Sequence, residues 1–236
     1  MKALLQAWVL AALALSNPAW AQTQTPSDPV GGYLEGGLSA AHFEIETSDN
    51  TTIELDDGAG FNLLGGIRFA PGLMLNVAYT QTDHSGGEVH QPGSADSSFG
   101  YDVSLQELRA GLFYAPPHTR VFGFRAGAGY EKITFDLDFG DYDADGVFGE
   151  GALLIKAGRI ATFDLSGALM VLDGDGADEI GGAEFRSGVR FHVGAVDLGL
   201  AYRVLALHFE YDDGSDEDDL YEELRLTIGT RWGYPG

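Results

Sequence analysis

The chain has 236 residues, no cysteine, 34 glycines and a formal net charge of −23. The length suits one sizeable domain, and the missing cysteine excludes disulfides and thiolate metal sites. The acidic balance excludes nucleic acid as a partner, because a phosphate backbone requires a basic surface. Residues 1–21 read as a secretory signal peptide: Met1-Lys2 is the positive start, Ala3 to Ser16 is almost wholly apolar, and Ala19-Trp20-Ala21 is an A-x-A cleavage site. Gln22 to Pro29 reads as a flexible lead-in. No later run reaches the roughly 18 apolar residues of a membrane helix.

From Val30 onward the pattern is alternation, which in a strand sends successive side chains to opposite faces. Strand one is predicted over Gly31 to Ile45, with Leu34, Leu38 and Ala40 opposite Glu35 and Ser39. Its far end changes parity, which predicts a bulge or emergence from the sheet. Strand two covers Gly60 to Ala70, and Pro71-Gly72 turns the chain. Strand three is Leu73 to Thr82, and strand four is Phe99 to Ala115, followed by a turn at Pro116-Pro117-His118. Strand five is Val121 to Asp136. Strand six, Gly146 to Ala157, is less regular, since Ala152 and Leu154 fall on the polar parity. Strand seven is Ala161 to Leu172. The clearest pair spans Ala183 to Val204, where Phe185, Val189, Phe191, Leu198, Leu200 and Tyr202 alternate with charged or small residues. Strand ten, Leu220 to Trp232, sets Leu224, Leu226 and Ile228 against Glu223, Arg225 and Thr227.

Each strand has one oily and one charged face, and two patterns say which is inside. Connections after the even-numbered strands are short, while those after the odd-numbered strands are longer, acidic and glycine-rich, as in an outer-membrane barrel. Arginine placement is the second. Arg68, Arg109, Arg125, Arg186, Arg190, Arg203, Arg225 and Arg231 all share the polar parity, and Arg120 and Arg159 sit in or beside short turns. An arginine facing lipid at the midplane costs about 2–4 kcal/mol, whereas one facing a lumen can pair. Tyr79, Tyr101, Tyr114, Tyr130, Tyr202 and Trp232 lie near strand ends, as an interfacial girdle requires.

The signal peptide, the stretches Leu108-Arg-Ala-Gly-Leu-Phe-Tyr and Phe124-Arg-Ala-Gly-Ala-Gly-Tyr, and the aromatic final strand resemble the small Gram-negative outer-membrane β-barrel proteins. The resemblance covers about Val30 to Gly236. It implies an all-β, transmembrane, antiparallel up-and-down barrel over residues 30–236, of ten strands, with eight as the fallback if strand six is misread. It also implies outer-membrane lipid and lipopolysaccharide as surroundings, the barrel-assembly machinery as a partner, and a monomer. One departure is the C-terminus, where Tyr234 is followed by Pro235-Gly236 instead of ending the chain on an aromatic.

Inside such a barrel the eight arginines would meet Glu35, Glu107, Glu131, Glu150, Asp164, Glu184, Asp197 and Glu223. Two readings follow: a polar core that holds the barrel together, or a narrow charge-selective channel. No cofactor is expected; the acidic loops read as a solvated rim, as a bridge through divalent cations to anionic lipid headgroups, or as holding a hard cation such as Ca²⁺. Asp141, Asp143, Asp145 and Gly146 match the start of an EF-hand loop, but position twelve is Ala152 instead of the bidentate Glu. Asp83-His84-Ser85, His90 and His208 lie toward the outer rim, but adjacency does not make a triad and no enzyme is expected. The favoured function is a structural or weakly conducting porin-like barrel. A loop-based binding protein or adhesin is the alternative, a rim hydrolase the third reading, and a soluble lipocalin-like barrel the rival fold.

Overall fold

The computed structural model describes residues 31–116, 121–137, 140–174, 177–211 and 214–232; the signal peptide, the lead-in and the C-terminal tail lie outside them. Ten strands follow in chain order: β1 (Gly31–Thr47), β2 (Thr52–Ala70), β3 (Leu73–His90), β4 (Ser97–Tyr114), β5 (Phe122–Leu137), β6 (Gly140–Ala157), β7 (Ala161–Gly174), β8 (Ala177–Val193), β9 (Val196–Glu210) and β10 (Asp216–Trp232). Each pairs with its chain neighbours, and β10 closes on β1, giving a closed ten-stranded barrel. All ladders are antiparallel, and the seam runs from Gly32↔Trp232 to Thr47↔Glu217 without a register break. Closure leaves no open edge to aggregate.

The end holding Gly31 and Trp232 is the near end. Three of its connections, at residues 71–72, 158–160 and 194–195, are two or three residues long. At Pro71-Gly72 the glycine takes φ +79°, the left-handed conformation that a type II turn demands after proline.

The irregular sixth strand is a full member of the sheet, pairing with β5 from Phe122↔Ile155 to Leu137↔Gly140. Ala152 and Leu154 do point inward, and the exposed Leu153 keeps the outer face apolar.

The strands run 14–19 residues, longer than the roughly 9–11 needed to cross a bilayer, so each stands clear of the membrane. The acidic stretches expected as long loops are therefore mostly strand. Glu54, Asp56 and Asp57 belong to β2, Asp141 to Asp145 to β6, and Asp216 to Asp219 to β10. The physical reason is that their polarity still alternates. Asp141, Asp143 and Asp145 face outward, while Tyr142 is half-buried and Ala144 buried.

This exposes the organising feature of the barrel, an inversion of polarity along its axis. In the near half the outer wall is apolar, with Leu38, Phe61, Leu75, Leu112, Phe124 and Leu226 exposed, and the inner wall is polar, with Glu35, Ser39, Asn76, Arg109 and Glu184 buried. In the far half the inner wall is apolar and the outer wall is charged. The parity change expected in β1 is this inversion. Glu35, Ser39, Ala41 and Phe43 all point inward on one unbroken face, which simply changes from polar to apolar. The bulge lies across the ladder, in β2, where the register shifts between Ala41 and Phe43. Tyr79, Tyr114, Tyr130 and Trp232 border the apolar outer belt, but Tyr101 stands above it in the far half, stacked on Phe99 with centroids 5.6 Å apart.

Candidate functional site: the closed lumen and the cup above it

The lumen is filled in layers. At the near end Arg190 on β8 reaches Glu35 on β1 with Nη2 to Oε1 at 2.8 Å. His192 Nδ1 lies 2.7 Å from Asp197 Oδ1, and Arg231 Nε is 3.6 Å from the same oxygen. Arg68 and Asp164 face this layer half-buried.

The middle layer is a single connected cluster of five arginines (Arg109, Arg125, Arg186, Arg203, Arg225) and five glutamates (Glu107, Glu131, Glu150, Glu184, Glu223). Its formal charges cancel. Glu184 on β8 is the hub. Its Oε1 accepts from Arg109 Nη1 at 3.1 Å and Arg186 Nη2 at 2.7 Å, and its Oε2 accepts from Arg109 Nη2 at 3.0 Å and Arg203 Nε at 2.7 Å. Arg109 also donates to both oxygens of Glu131, at 2.8 and 2.9 Å. Arg203 on β9 pairs with Glu107 on β4 at 2.5 Å. Since β4 stands four strands from β8 and five from β9 in a ten-stranded ring, these bonds cross the full bore. A buried charge is tolerated only when paired and hydrogen-bonded, and the planar arginine fork supplies several donors at once.

Local sequence makes room for this layer. Arg109 lies over the Phe148 ring at 4.7 Å and Arg125 over Phe113 at 5.0 Å, cation–π contacts that support the guanidinium groups. The rings fit because of the Ala-Gly runs. A Cβ at Gly111 would come 2.9 Å from Phe148, and one at Gly129 would come 2.8 Å from the same ring.

Above the charges lies an apolar seal. Leu105, Ile133, Leu172, Ile180, Leu205 and Tyr221 are essentially inaccessible to solvent. Tyr221 covers Arg203, with the guanidinium carbon 5.8 Å from the ring centroid, and its hydroxyl shares a 2.8 Å hydrogen bond with Thr82 Oγ1. The lumen is therefore closed twice, by charge and by oil.

Above the seal the barrel widens into a cup of about 480 Å³. Its wall is largely aromatic. Phe43 stacks on Phe135 at 5.8 Å, Phe135 meets Tyr142 at 6.2 Å, Tyr142 meets Phe209 edge-on at 6.0 Å, and Phe209 stacks on Tyr211 at 6.5 Å. Two carboxylates line it, Glu217 and Asp219. Asp219 is 5% exposed, and its Oδ1 has no hydrogen-bond partner. Burial, then the negative charges of Glu217 and Asp218, push its carboxyl well above the usual carboxylate range; burial alone raises Glu217. The cup is not legible in the sequence, because its lining is divided between the ends of predicted strands, such as Phe43, Phe99 and Phe135, and stretches that read as acidic loops, such as Tyr142, Tyr211 and Asp219. Tyr142, Phe209 and Tyr211 alternating with acidic or polar residues were the available signal.

The remaining sequence-flagged groups stand apart. Asp143 accepts from Lys132 Nζ at 2.7 Å and Thr134 Oγ1 at 2.6 Å, and Asp145 accepts from Tyr130 at 2.8 Å. Same-face residues of a strand lie about 6–7 Å apart, so Asp141, Asp143 and Asp145 do not converge on one ion as an EF-hand loop would. Among the described residues no group of three or more such side chains is arranged to hold a metal. His84 is buried in the barrel with Nδ1 2.9 Å from the Asp56 carbonyl oxygen, while Asp83 and Ser85 face outward, so the three are not a triad. His90 pairs outside with Asp96 at 3.1 Å and His208 with Asp218 at 2.7 Å.

Residues 7–153 match the model of the outer membrane protein beta-barrel domain. No curated protein matches the sequence. Among solved structures, the outer membrane protease OmpT from Escherichia coli aligns over 92% of this chain and 100% of its own, at 9% identity and TM-score 0.51. The outer membrane protein OprG from Pseudomonas aeruginosa aligns over 87% of this chain and 97% of its own, at 14% identity and TM-score 0.45. At such identities the likeness bears on the fold alone.

Proposed function

Starting from the premise that this chain belongs to the outer membrane protein beta-barrel domain family, and so lies in the outer membrane of a Gram-negative bacterium, we propose that it is a structural, at most weakly conducting barrel, closed at rest. The near end then faces the periplasm and the far end the cell exterior, since short turns are periplasmic in such barrels. One observation carries the reading. The glutamate hub Glu184 on β8 binds three arginines at once, one of them, Arg109 on β4, from across the bore, while Arg203 on the neighbouring β9 reaches back across it to Glu107. A solute would have to break charge-assisted bonds that have no water to replace them, then pass a layer of leucine and isoleucine that excludes water.

The role this supports is that of a rigid pillar in the membrane that presents its far half to the outside. Single-channel recording of the refolded protein in a planar bilayer tests it. The expected trace is silent or shows only rare, small openings. Steady, discrete openings of porin size would overturn the reading, and their ion preference would show whether arginines or glutamates line the path.

The alternative, a binding role for the exterior half, is favoured by the open aromatic cup. A hydrolytic role, the activity named for OmpT, has its nearest support in His84, whose ring Nδ1 is held by the backbone of Asp56 inside the wall.

A further inference from the structure

The cup above the seal combines three features of a ligand site. It is concave, and its volume of about 480 Å³ falls within the roughly 300–1,000 Å³ range of small-molecule sites. Its wall is a run of aromatic faces, each ring touching the next from Phe43 through Phe135, Tyr142 and Phe209 to Tyr211. Its charged groups carry one sign only. Glu217 and Asp219 line the cavity, and Asp219, only 5% exposed, carries a buried oxygen, Oδ1, that no protein group satisfies.

Comparison with the lumen below is instructive. Every glutamate of the middle layer has an arginine within ion-pair distance, so this sequence does pair its buried carboxylates when they serve the barrel. Asp219 is the departure. The charges acting on it are those of Glu217 and Asp218, both negative. A buried, unpaired carboxylate is costly to keep. Asp219 stands between Ile45 and Leu207 across its two ladders, in a cavity also lined by Phe43, so an apolar side chain would suit the site and packing alone does not explain the carboxylate. Aromatic faces attract cations through their quadrupoles, and a carboxylate among them supplies the opposite charge.

We propose that the exterior cup, walled by Phe43, Phe135, Tyr142, Phe209 and Tyr211 with Asp219 and Glu217 as anchors, is a binding site for a small organic cation: an apolar or aromatic body bearing a substituted ammonium group. The ammonium sits against Asp219 and the ring faces, and the apolar body fills the rest of the cup. The seal beneath it makes this a receptor site on a closed barrel, not the entrance of a pore.

The test uses the full mature chain refolded into phosphatidylglycerol nanodiscs, with empty discs as the background. Benzyltrimethylammonium is titrated calorimetrically, and its neutral isostere neopentylbenzene and the anion phenylacetate are run as competitors. Saturable binding of the cation is expected. Asp219→Asn should weaken it at least ten-fold, and Phe135→Leu several-fold. Neopentylbenzene should bind at least ten-fold more weakly than the cation, and phenylacetate should not compete at all. Heat-modifiable gel mobility confirms that each variant is folded, and Asp219→Asn, which removes a buried charge, is expected to fold well. Three results would overturn the proposal. They are no saturable cation binding to folded protein, a neutral isostere that binds as well as the cation, or an affinity unmoved by Asp219→Asn. The second of these would make the cup a site for neutral apolar molecules. Conductance plays no part in these readouts, so failure here leaves the closed-barrel reading standing, and an open channel would not by itself produce Asp219-dependent binding.

Discussion

Substituting Glu184→Gln would strike the closed lumen at its centre. Glu184 accepts four hydrogen bonds, two on each oxygen. Glutamine keeps one oxygen and presents an NH₂ in place of the other, so two bonds are lost whichever way the amide turns. Hydrogen bonds to charged groups contribute about 1.5–3 kcal/mol each, which puts the loss at about 3–6 kcal/mol. The balance of five arginines against five glutamates also becomes an excess of one positive charge in a buried cluster. Breaking a buried pair from one side costs about 3–5 kcal/mol by an independent measure, so about 3–5 kcal/mol is expected. Urea unfolding of the protein in lipid vesicles, followed by far-UV circular dichroism and tryptophan fluorescence, reads this as a lower midpoint with unchanged slope. Adding Arg186→Gln restores neutrality at the partner nearest the edge of the cluster and should recover at least about 1 kcal/mol. A loss below about 1 kcal/mol for Glu184→Gln, with no recovery in the double variant, would refute the claim that this cluster holds the barrel closed.

Four further outcomes follow from the same geometry. Ile133→Ala removes a fully buried member of the seal and should cost about 2–5 kcal/mol in the same urea experiment. Leu226→Arg, in the middle of the apolar belt, should cost about 2–4 kcal/mol, whereas Glu44→Arg, on the outer wall of the far half, should change stability by no more than about 0.5 kcal/mol; equal costs would displace the membrane boundary drawn here. Asp219→Leu should stabilise the barrel by about 1–3 kcal/mol at neutral pH, read from the unfolding midpoint. The pH profile has a definite sign. A carboxyl whose folded pKa is raised contributes stability that is complete below its unfolded pKa of about 4 and lost as pH rises through the folded value, so the advantage of Asp219→Leu over the natural chain should vanish in acid and grow with pH.

Much of the near half was legible because membrane and lumen impose opposite demands on alternating positions. In β10, Leu224, Leu226 and Ile228 against Glu223, Arg225 and Thr227 leave one arrangement in which neither arginine nor glutamate meets lipid. The eight arginines on one parity pointed to the lumen, and the structure gathers five of them into its central cluster. What could not be read was which carboxylate each would meet, because those partners lie up to five strands apart and strand periodicity fixes only the face. The far half was misread for a physical reason as well. Asp141, Asp143 and Asp145 with two residues between first and last of opposite character look like a calcium loop, since both a strand and the start of an EF-hand space their groups by two. Here the spacing belongs to the strand. The inversion of inside and outside made a continuous ladder look like a break.

That inversion also constrains how the barrel can be made. The outer wall of the far half carries Glu44, Lys132, Asp143, Asp145 and Asp218, and in the orientation proposed above all of them would end up outside the cell after starting on the periplasmic side. Each would cost about 2–4 kcal/mol if dragged singly across the lipid midplane on a finished cylinder, and the charges of ten strands would have to cross together. A completed barrel therefore cannot slide into place. In that orientation the far hairpins would have to cross while the wall is still open, and the unbroken β1–β10 seam would close behind them. Once it has closed, the same charges act as barbs: withdrawing the barrel would require returning every one of them through the hydrocarbon, so the cylinder is locked at the depth where its two polarities meet.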